Sequence, residues 1–375
     1  FQNDRSGAGA GGSITILTSN LSGAGTISAE GGDALIGGGN GGGGRIAIEY
    51  SGTNSFSGSV SVIAGNSTGG AGQPGTSYIE DLTNDDLLIP GDNYAWTKED
   101  RTEDWIFRNI TVNGDWTVES TSVELFLITL TGSMTVDSNV DITFKSYASN
   151  DTNGVGVYFK LAGDLTVPAS SSITADAGGY AGGASNGAGS GTGKGASCAP
   201  SSAGGGGGGY GGAGGGPDGG TTYGSSGLPE DLGSGGGGAC GSGSAAGGRG
   251  GGAIRINTAG TLTVNGTISA NGEKGKNDFY GGGGGSGGSI FLTVGTLAGT
   301  GVIEVAGGDG GDGTNVTADG DSGGGGRISL VYYTANNWSG QTLNAATSAP
   351  AGSVDNGGQA GSSGTVTINN ATPGY

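Results

Sequence analysis

Histidine is absent from the chain, and residues with a positive charge or a bulky apolar side chain are scarce. The 375 residues include 13 Lys and Arg against 32 Asp and Glu, which gives a formal net charge of −19 at pH 7. Without histidine the chain lacks the commonest general base and a frequent metal ligand. Its acidic charge argues against nucleic acid and anionic membranes as partners.

Long hydrophobic runs are also missing. Leu, Ile, Val and Phe make up about 17% of the chain, and no apolar run approaches the roughly 18 residues of a membrane-spanning helix. Glycine supplies 95 residues, and glycine loses the most backbone freedom on folding. These shortages exclude membrane insertion, a compact α/β globule and a helix bundle. They leave disorder, or a fold in which many short strands share the apolar residues.

The chain has two cysteines, Cys198 and Cys240, and both lie in its most glycine-rich part. They could be free thiols in a reducing compartment. A disulfide is the favoured interpretation, because one crosslink would stabilise such a loop by roughly 3–4 kcal/mol on the chain-entropy account. A disulfide in turn predicts an oxidising compartment.

The two ends of the chain are copies of each other. Residues 41–58, GGGGRIAIEYSGTNSFSG, match residues 323–340, GGGGRISLVYYTANNWSG, and residues 11–34 match residues 287–310 in the same way. The offset of about 280 residues predicts a tandem array whose unit has that length. Neither end shows an atypical capping repeat. The sequence therefore predicts head-to-tail contacts between copies, which give a filament when they do not close.

Within each copy, apolar and polar residues alternate over short stretches. Ile14 and Ile16 alternate with threonine, and so do Leu262 and Val264. Alternation over three to five residues predicts short, half-buried strands separated by glycine-containing turns. Strand–turn–strand units of about 20 residues suit a parallel β-helix. The predicted fold is all-β, a right-handed parallel β-helix-like solenoid with inserted polyglycine segments of polyproline II type.

Composition divides the chain into four regions. The predicted regions are residues 1–80, the C-terminal part of a preceding repeat unit; residues 81–177, glycine-poor β coils or a small sandwich; residues 178–253, a glycine-rich insertion with the cysteine pair; and residues 254–375, glycine-rich coils homologous to the first region.

Two of these regions allow alternative interpretations. In residues 81–177 we expect Trp105 and Trp116 in the core, and the alternative is an exposed aromatic platform for sugars. Residues 178–253 could be a flexible linker. Tyrosines and cysteines within them favour ordered, threefold extended chains that pack backbone to backbone and hydrogen-bond between chains.

Catalytic chemistry has weak support in the sequence. Many parallel β-helices cleave acidic polysaccharides with clustered carboxylates beside basic residues. The candidates here are Asp100, Glu103 and Asp104 beside Lys98 and Arg101, within the polar stretch TKEDRTEDW. A solvated loop is the favoured interpretation of this stretch, so no catalytic residue is assigned and we expect no enzyme.

Calcium is the one ion that the sequence suggests. The stretch GGDGGDGTNVTADGD combines hard oxygen ligands with flexible turns, which suits calcium. It departs from the calcium-binding nonapeptide at Thr314, where an apolar residue would stand. A solvated acidic loop is therefore the default interpretation. We expect no required cofactor, and the alternative is an optional calcium site at Asp309, Asp312, Asp319 and Asp321.

Asparagine sequons allow glycosylation at several positions. The acceptors are Asn20, Asn66, Asn109, Asn150, Asn265, Asn315, Asn337 and Asn370. Their number exceeds chance only slightly. Attached sugars would protect exposed strand edges from pairing wrongly.

The order of these motifs resembles a class of bacterial cell-surface proteins. The matching elements are GGGAIRI, TLTVNGTISANG, GGGGSGGSIFLTVGTLAGTGVIEVAGG, GGGGRISLVYY and GTSYIEDLTNDDLLI, over roughly residues 1–90 and 155–370. These proteins are secreted, glycine-rich β-helix repeat chains of adhesin or fibre type. The resemblance implies a cell-surface or extracellular location and a non-enzymatic role.

The leading functional hypothesis is a structural protein, a fibre, stalk or filament subunit for adhesion or matrix formation, assembled head-to-tail with itself and glycosylated. The alternative is an adhesin domain that binds glycans or another surface. A polysaccharide lyase or hydrolase is a distant third.

Overall fold

The structure is a computed structural model that describes residues 6–35, 37–66, 70–100, 104–149, 153–197, 204–241, 243–314, 319–338 and 358–371. In these residues the fold is all-β, with one short 3₁₀ turn at Lys98–Asp100 and otherwise strands and turns. The prediction of an all-β chain is confirmed. No helix in the described part is long and apolar enough to cross a membrane.

The first seven strands form the N-terminal copy of the repeated sequence. They are β1 Ser13–Thr18, β2 Leu21–Gly23, β3 Thr26–Ser28, β4 Arg45–Tyr50, β5 Asn54–Phe56, β6 Ser59–Ser61 and β7 Thr76–Asp81. Strands β1, β4 and β7 pair in parallel, with Ser13 opposite Arg45 and Arg45 opposite Thr76. Alternation places Ile46 and Ile48 on the inner side, where both are buried.

The glycine-poor region continues with thirteen strands in the described residues. They are β8 Asp86–Ile89, β9 Asn93–Thr97, β10 Ile106–Phe107, β11 Asn109–Val112, β12 Trp116–Glu119, β13 Phe126–Leu130, β14 Met134–Val136, β15 Asp141–Lys145, β16 Tyr147–Ser149, β17 Asn153–Val155, β18 Val157–Leu161, β19 Leu165–Val167 and β20 Ser172–Thr174. Strand β8 turns back antiparallel to β7, and β16 and β17 form an antiparallel hairpin.

The remaining six strands are β21 Ala253–Val264, β22 Thr267–Ser269, β23 Ser289–Gly299, β24 Val302–Glu304, β25 Arg327–Trp338 and β26 Thr365–Asn370. Strand β21 pairs with β18 along its first half and with β19 along its second half, so one strand joins two ladders. Strands β23, β25 and β26 pair in parallel, with Ser289 opposite Arg327 and Arg327 opposite Thr365. The second copy therefore repeats the register of β1, β4 and β7.

Across the described residues, the strands form one sheet of 14 strands, a second of six and three of two. The six-stranded sheet runs in the order β24-β22-β20-β15-β12-β9, and all its neighbours are parallel. Apart from the β16–β17 hairpin, strands β8 to β20 belong to the same two main sheets as β21 to β25. The glycine-poor region is therefore not a separate sandwich.

The main core is a single apolar cluster from Leu87 to Leu330, between these sheets. Trp105 and Trp116 lie in it, as the sequence predicts, and Trp116 packs against Phe159 with ring centroids 6.0 Å apart. A smaller cluster lies under the N-terminal copy. Large aromatic rings fill the part of the core where glycine is rare, since each ring buries a large apolar area.

Residues 178–252 contain no assigned strand in their described part, yet their backbone is extensively hydrogen-bonded. The bonds recur at every third residue. Gly205 and Gly208 donate to Gly281 and Gly284, both in the 2.9–3.1 Å range. Gly206 and Gly207, which lie between these donors, donate to Ala196 and Gly215 instead. The segment is therefore hydrogen-bonded to several neighbouring segments.

Glycine is required in this region because the backbones approach closely. A Cβ atom built on Gly205 would stand 2.0 Å from the carbonyl oxygen of Gly237, and one built on Gly208 would stand 2.3 Å from that of Ser234. Real Cβ atoms essentially never show such distances. Residues 204–212 are buried, with other backbone segments around them. The glycine-rich region is thus a packed layer of the fold.

Candidate functional site

A cleft of about 250 Å³ opens over the outer face of β1 and β4, beside the segment that follows β8. Its side chains come from three strands of the N-terminal copy and from the glycine-poor region. They include Ser13, Thr15, Arg45, Tyr78, Glu80, Trp96, Asp100 and Trp105. The alternation that buries Ile46 and Ile48 necessarily directs Arg45 to the opposite, outer face.

Arg45 and Asp100 form the main charged pair in the cleft. The Arg45 guanidinium lies 2.5 Å from the Asp100 carboxylate, which also accepts hydrogen bonds from the amide and hydroxyl of Thr97. Burial raises the pKa of Asp100, but the bonds from Arg45 and Thr97 outweigh it and hold the pKa below its ordinary value. Asp100 is therefore ionised at neutral pH and unsuited to act as a general acid.

The aromatic residues beside the cleft pack against one another. Trp96 makes edge-on contacts with Tyr78, Trp105 and Trp116, at ring-centroid distances of 5.5–5.7 Å. Trp96 is only 4% exposed and Trp105 only 5% exposed. Neither ring presents a face to solvent, so the alternative interpretation, an exposed aromatic platform, is wrong for these two tryptophans.

Of the other predicted acidic and basic residues, the structure describes Lys98 and Asp104, and neither bonds to Asp100. Lys98 pairs with Glu124 at 2.6 Å, and Asp104 is exposed. Arg101 and Glu103 lie outside the described residues. What the structure shows at this stretch is a set of separate ion pairs, as in a solvated loop.

Two of the four aspartates predicted to bind calcium lie at the surface of the glycine-rich layer. Asp312 accepts hydrogen bonds from the Lys274 ammonium at 2.8 Å and from Asn277 at 2.9 Å. Asp309 is half-buried, and burial raises the pKa of its carboxyl. In the described structure its Oδ1 atom is buried and has no hydrogen-bond partner.

The other two aspartates are buried between backbone segments. Asp319 Oδ1 accepts the Gly313 amide at 2.8 Å, and Asp321 Oδ1 accepts the Gln359 amide at 2.8 Å. Burial raises the pKa of Asp321 to about 6. The described residues contain no cluster of three or more carboxylates or cysteines that could hold a metal ion. The calcium site therefore stays a prediction.

Cys240 is disulfide-bonded, and no free cysteine occurs in the described part of the chain. Cys198, its predicted partner, lies outside the described residues. Cys240 follows the glycine run 235–238, with Ala239 between them.

Four of the glycosylation acceptors, Asn20, Asn66, Asn337 and Asn370, are exposed. Asn109 and Asn265 are half-buried, and Asn150 and Asn315 lie outside the described residues. The side-chain nitrogen of Asn109 donates to Asp86 at 2.9 Å, so a sugar there would have to break this bond.

The structure adds a polar cluster that sequence reasoning missed. The Tyr210 hydroxyl lies 2.7 Å from Ser289 Oγ, and the Arg327 guanidinium lies 5.3 Å from the Tyr210 ring centroid. Arg327 also donates to the carbonyl oxygen of Tyr223 at 3.0 Å. Tyrosines in a glycine run were the available signal, but their partners lie about 70–120 residues away in sequence.

Comparison of the chain with known proteins found no matching family model, no matching curated protein and no matching solved structure. The class of this protein is therefore described by its fold alone. It is an all-β chain of mainly parallel strand ladders with a packed glycine-rich layer.

Proposed function

We propose that this protein is a non-enzymatic structural unit of an extracellular fibre, stalk or filament, with a solenoid fold. Apart from the antiparallel β7–β8 pair, neighbouring strands of the two main sheets lie roughly 20 to 100 residues apart in sequence and pair in parallel. This arrangement supports a parallel β-helix, in which the chain returns to each face once per coil. We assign the right hand because parallel crossover connections are nearly always right-handed.

The glycine-rich layer fits inserted chains of polyproline II type. Hydrogen bonds to one neighbour recur at every third residue, as in a helix with three residues per turn. Such a helix has no internal hydrogen bonds, so its amides and carbonyls must bind neighbouring chains. Bundled chains of this type would stiffen the solenoid along one side, which suits a rod that bears load.

The observation that carries the proposal is the open edge at β26. This strand pairs with β25 alone among the described residues. Val366 and Ile368 lie opposite core residues of β25 but are 38% and 47% exposed, whereas Ile79, at the position of Ile368 in the N-terminal copy, is 4% exposed. An apolar strand edge of this kind favours pairing with another chain.

Two further features support an extracellular site. Cys240 is disulfide-bonded, and disulfides persist in oxidising compartments. Exposed sequon asparagines at several surface positions would accept sugars in a secreted protein.

The alternative functions have less support. A glycan-binding adhesin domain would use the cleft over β1 and β4, but Trp96 and Trp105 offer no open ring face for stacking on sugars. A polysaccharide-cleaving enzyme would need a general acid, and Asp100 is held ionised by Arg45.

Filament formation tests the proposal. We expect fibres by electron microscopy at high protein concentration without added ligand, and a mass that rises with concentration in light scattering. Ile368→Lys places a charge on the open edge and should leave monomers. Leu228→Lys is the matched control, because Leu228 is equally exposed, 48%, but lies on a loop. A parent protein that stays monomeric at all concentrations would contradict the proposal.

A further inference from the structure

The two copies of the repeat have the same internal glycine packing. In the N-terminal copy, a Cβ atom on Gly41 would stand 1.9 Å from the carbonyl oxygen of Gly9. At the same positions of the C-terminal copy, a Cβ atom on Gly323 would stand 2.0 Å from that of Gly285. The two distances agree within 0.1 Å. The surroundings of equivalent residues in the two copies can therefore be compared directly.

The copies differ in what lies outside them. A Cβ atom on Gly285 or Gly288 would stand 1.9 Å from a backbone oxygen of residues 249–252. Their counterparts Gly9 and Gly12 have nothing within 4 Å of a Cβ atom. Residues 281–288 are buried, whereas most of residues 6–12 are exposed. Nothing within the described structure requires glycine at positions 9 and 12.

The outer faces of the strands show the same difference. In the C-terminal copy the glycine-rich layer covers Ser289 and Arg327, and Arg327 is 7% exposed under Tyr210 and Tyr223. The Ser289 hydroxyl also donates to the carbonyl oxygen of Asp231 at 2.5 Å. A serine and an arginine on neighbouring strands thus form the surface on which a tyrosine-bearing chain packs.

In the N-terminal copy no glycine-rich chain of the described structure covers the corresponding surface. Ser13 and Arg45 occupy the positions of Ser289 and Arg327, and they line the cleft of about 250 Å³. The Arg45 side chain is 65% exposed, and Asp100 is its ion-pair partner. We call residues 6–12 together with Ser13, Thr15 and Arg45 the open glycine face.

We propose that the open glycine face binds a glycine-rich, tyrosine-bearing segment of the same kind as residues 204–252, supplied by an adjoining unit of this protein. Glycine at 9 and 12 allows another backbone to approach closely, whereas a glycan or an ordinary protein surface would not require it. Residues 204–252 of the same chain are already bound to residues 281–326. The segment would come from the preceding unit of the proposed tandem array, the unit to which the N-terminal copy belongs as its C-terminal part. The inference rests on the proposed tandem structural role and names the unit-to-unit contact.

The test adds the missing segment to the full chain. A second copy of residues 178–276 is joined ahead of residue 1, because residue 277 holds the position equivalent to residue 1. Hydrogen exchange of the amides in residues 6–12 should slow by roughly tenfold or more, as in a packed segment. Gly12→Val should abolish this protection in the extended chain and leave the unfolding temperature of the unextended chain unchanged.

Two controls make the result specific. Tyr210→Ala in the added copy should weaken the protection, and the same substitution in the original copy should not. A synthetic peptide of residues 178–253, added to the unextended chain, gives a second measurement that does not depend on folding of the fusion.

The inference is overturned if neither the extension nor the peptide slows exchange at residues 6–12. It is also overturned if protection arises in the unextended chain simply with rising concentration, because another face of a second copy then covers the site. Filament formation is scored separately on the unextended chain. Filaments without protection would refute this contact alone, and protection without filaments would refute the assembly alone.

Discussion

Replacement of Gly208 by alanine tests whether the glycine-rich region is a packed layer. Gly208 donates to the carbonyl oxygen of Gly284 at 2.9 Å and accepts from the amide of Gly324 at 2.8 Å. An added Cβ would stand 2.3 Å from the Ser234 oxygen, whereas ordinary contact begins at 3.4 Å. Relief of the clash requires a separation of about 1.1 Å, the difference of these distances.

The expected loss follows from that displacement. Two buried backbone hydrogen bonds are worth roughly 0.5–1.5 kcal/mol each, and overpacking costs about 1–3 kcal/mol more. Gly208→Ala should therefore lower the free energy of unfolding by about 2–6 kcal/mol, a large share of the 5–15 kcal/mol typical of proteins. The measurement is guanidinium unfolding followed by circular dichroism, together with proteolysis of the oxidised protein within residues 178–253.

Gly227→Ala is the matched control in the same region. Gly227 is exposed, its φ is not positive, and a Cβ there meets nothing within 4 Å. Alanine at this position should be neutral or stabilise by up to about 1 kcal/mol, because it restricts the unfolded chain. If the two variants unfold within about 0.5 kcal/mol of each other, the region is not closely packed and the reasoning fails.

Three further predictions use single substitutions. Because burial raises the pKa of Asp321 to about 6, above its ordinary 3.8, its charge destabilises the fold: the contribution of this carboxyl to stability should be fully present below about pH 4 and be lost as pH rises through 6. Asp321→Asn should remove that fall and add about 1–3 kcal/mol at pH 7, measured by denaturant unfolding across pH; an unchanged pH profile would refute it. Arg327→Ala should lower the free energy of unfolding by about 2–4 kcal/mol, since it leaves buried carbonyls unpaired. Arg45→Ala should lower it by under about 1 kcal/mol. Equal losses in thermal unfolding would be inconsistent with an uncovered surface at Arg45. Tyr210→Phe should cost about 0.5–1.5 kcal/mol through loss of the Ser289 hydrogen bond, and a stability equal to the parent's would show that this bond contributes nothing.

Local alternation was sufficient to predict much of the strand structure. Ile46 and Ile48 alternate with other residues and are buried in β4, and Trp105 and Trp116 lie in the core. The matched ends of the sequence also predicted a structural repeat, and β1, β4 and β7 share their register with β23, β25 and β26. Each of these predictions depends on neighbouring residues or on sequence identity, which can be read directly.

The candidate site could not be predicted in the same way. Arg45 and Asp100 are 55 residues apart, and their meeting depends on the antiparallel return of β8 beside β7. No alternation pattern encodes that return. The acidic stretch after β9 was a candidate for catalysis, but two of its described residues, Lys98 and Asp100, form separate ion pairs.

The sequence by itself determined the all-β class, the strand faces and the duplication, because these follow from backbone geometry, side-chain alternation and repetition over short distances. Tertiary structure alone decided which glycine-rich segment packs on which copy. Arg327 and Arg45 occupy the same position in the repeat, yet one is buried beneath Tyr210 and the other is exposed in a cleft. Similar local sequences acquire different surroundings because glycine carries no side chain to specify a partner. The partner is selected by long-range hydrogen bonding and close backbone packing.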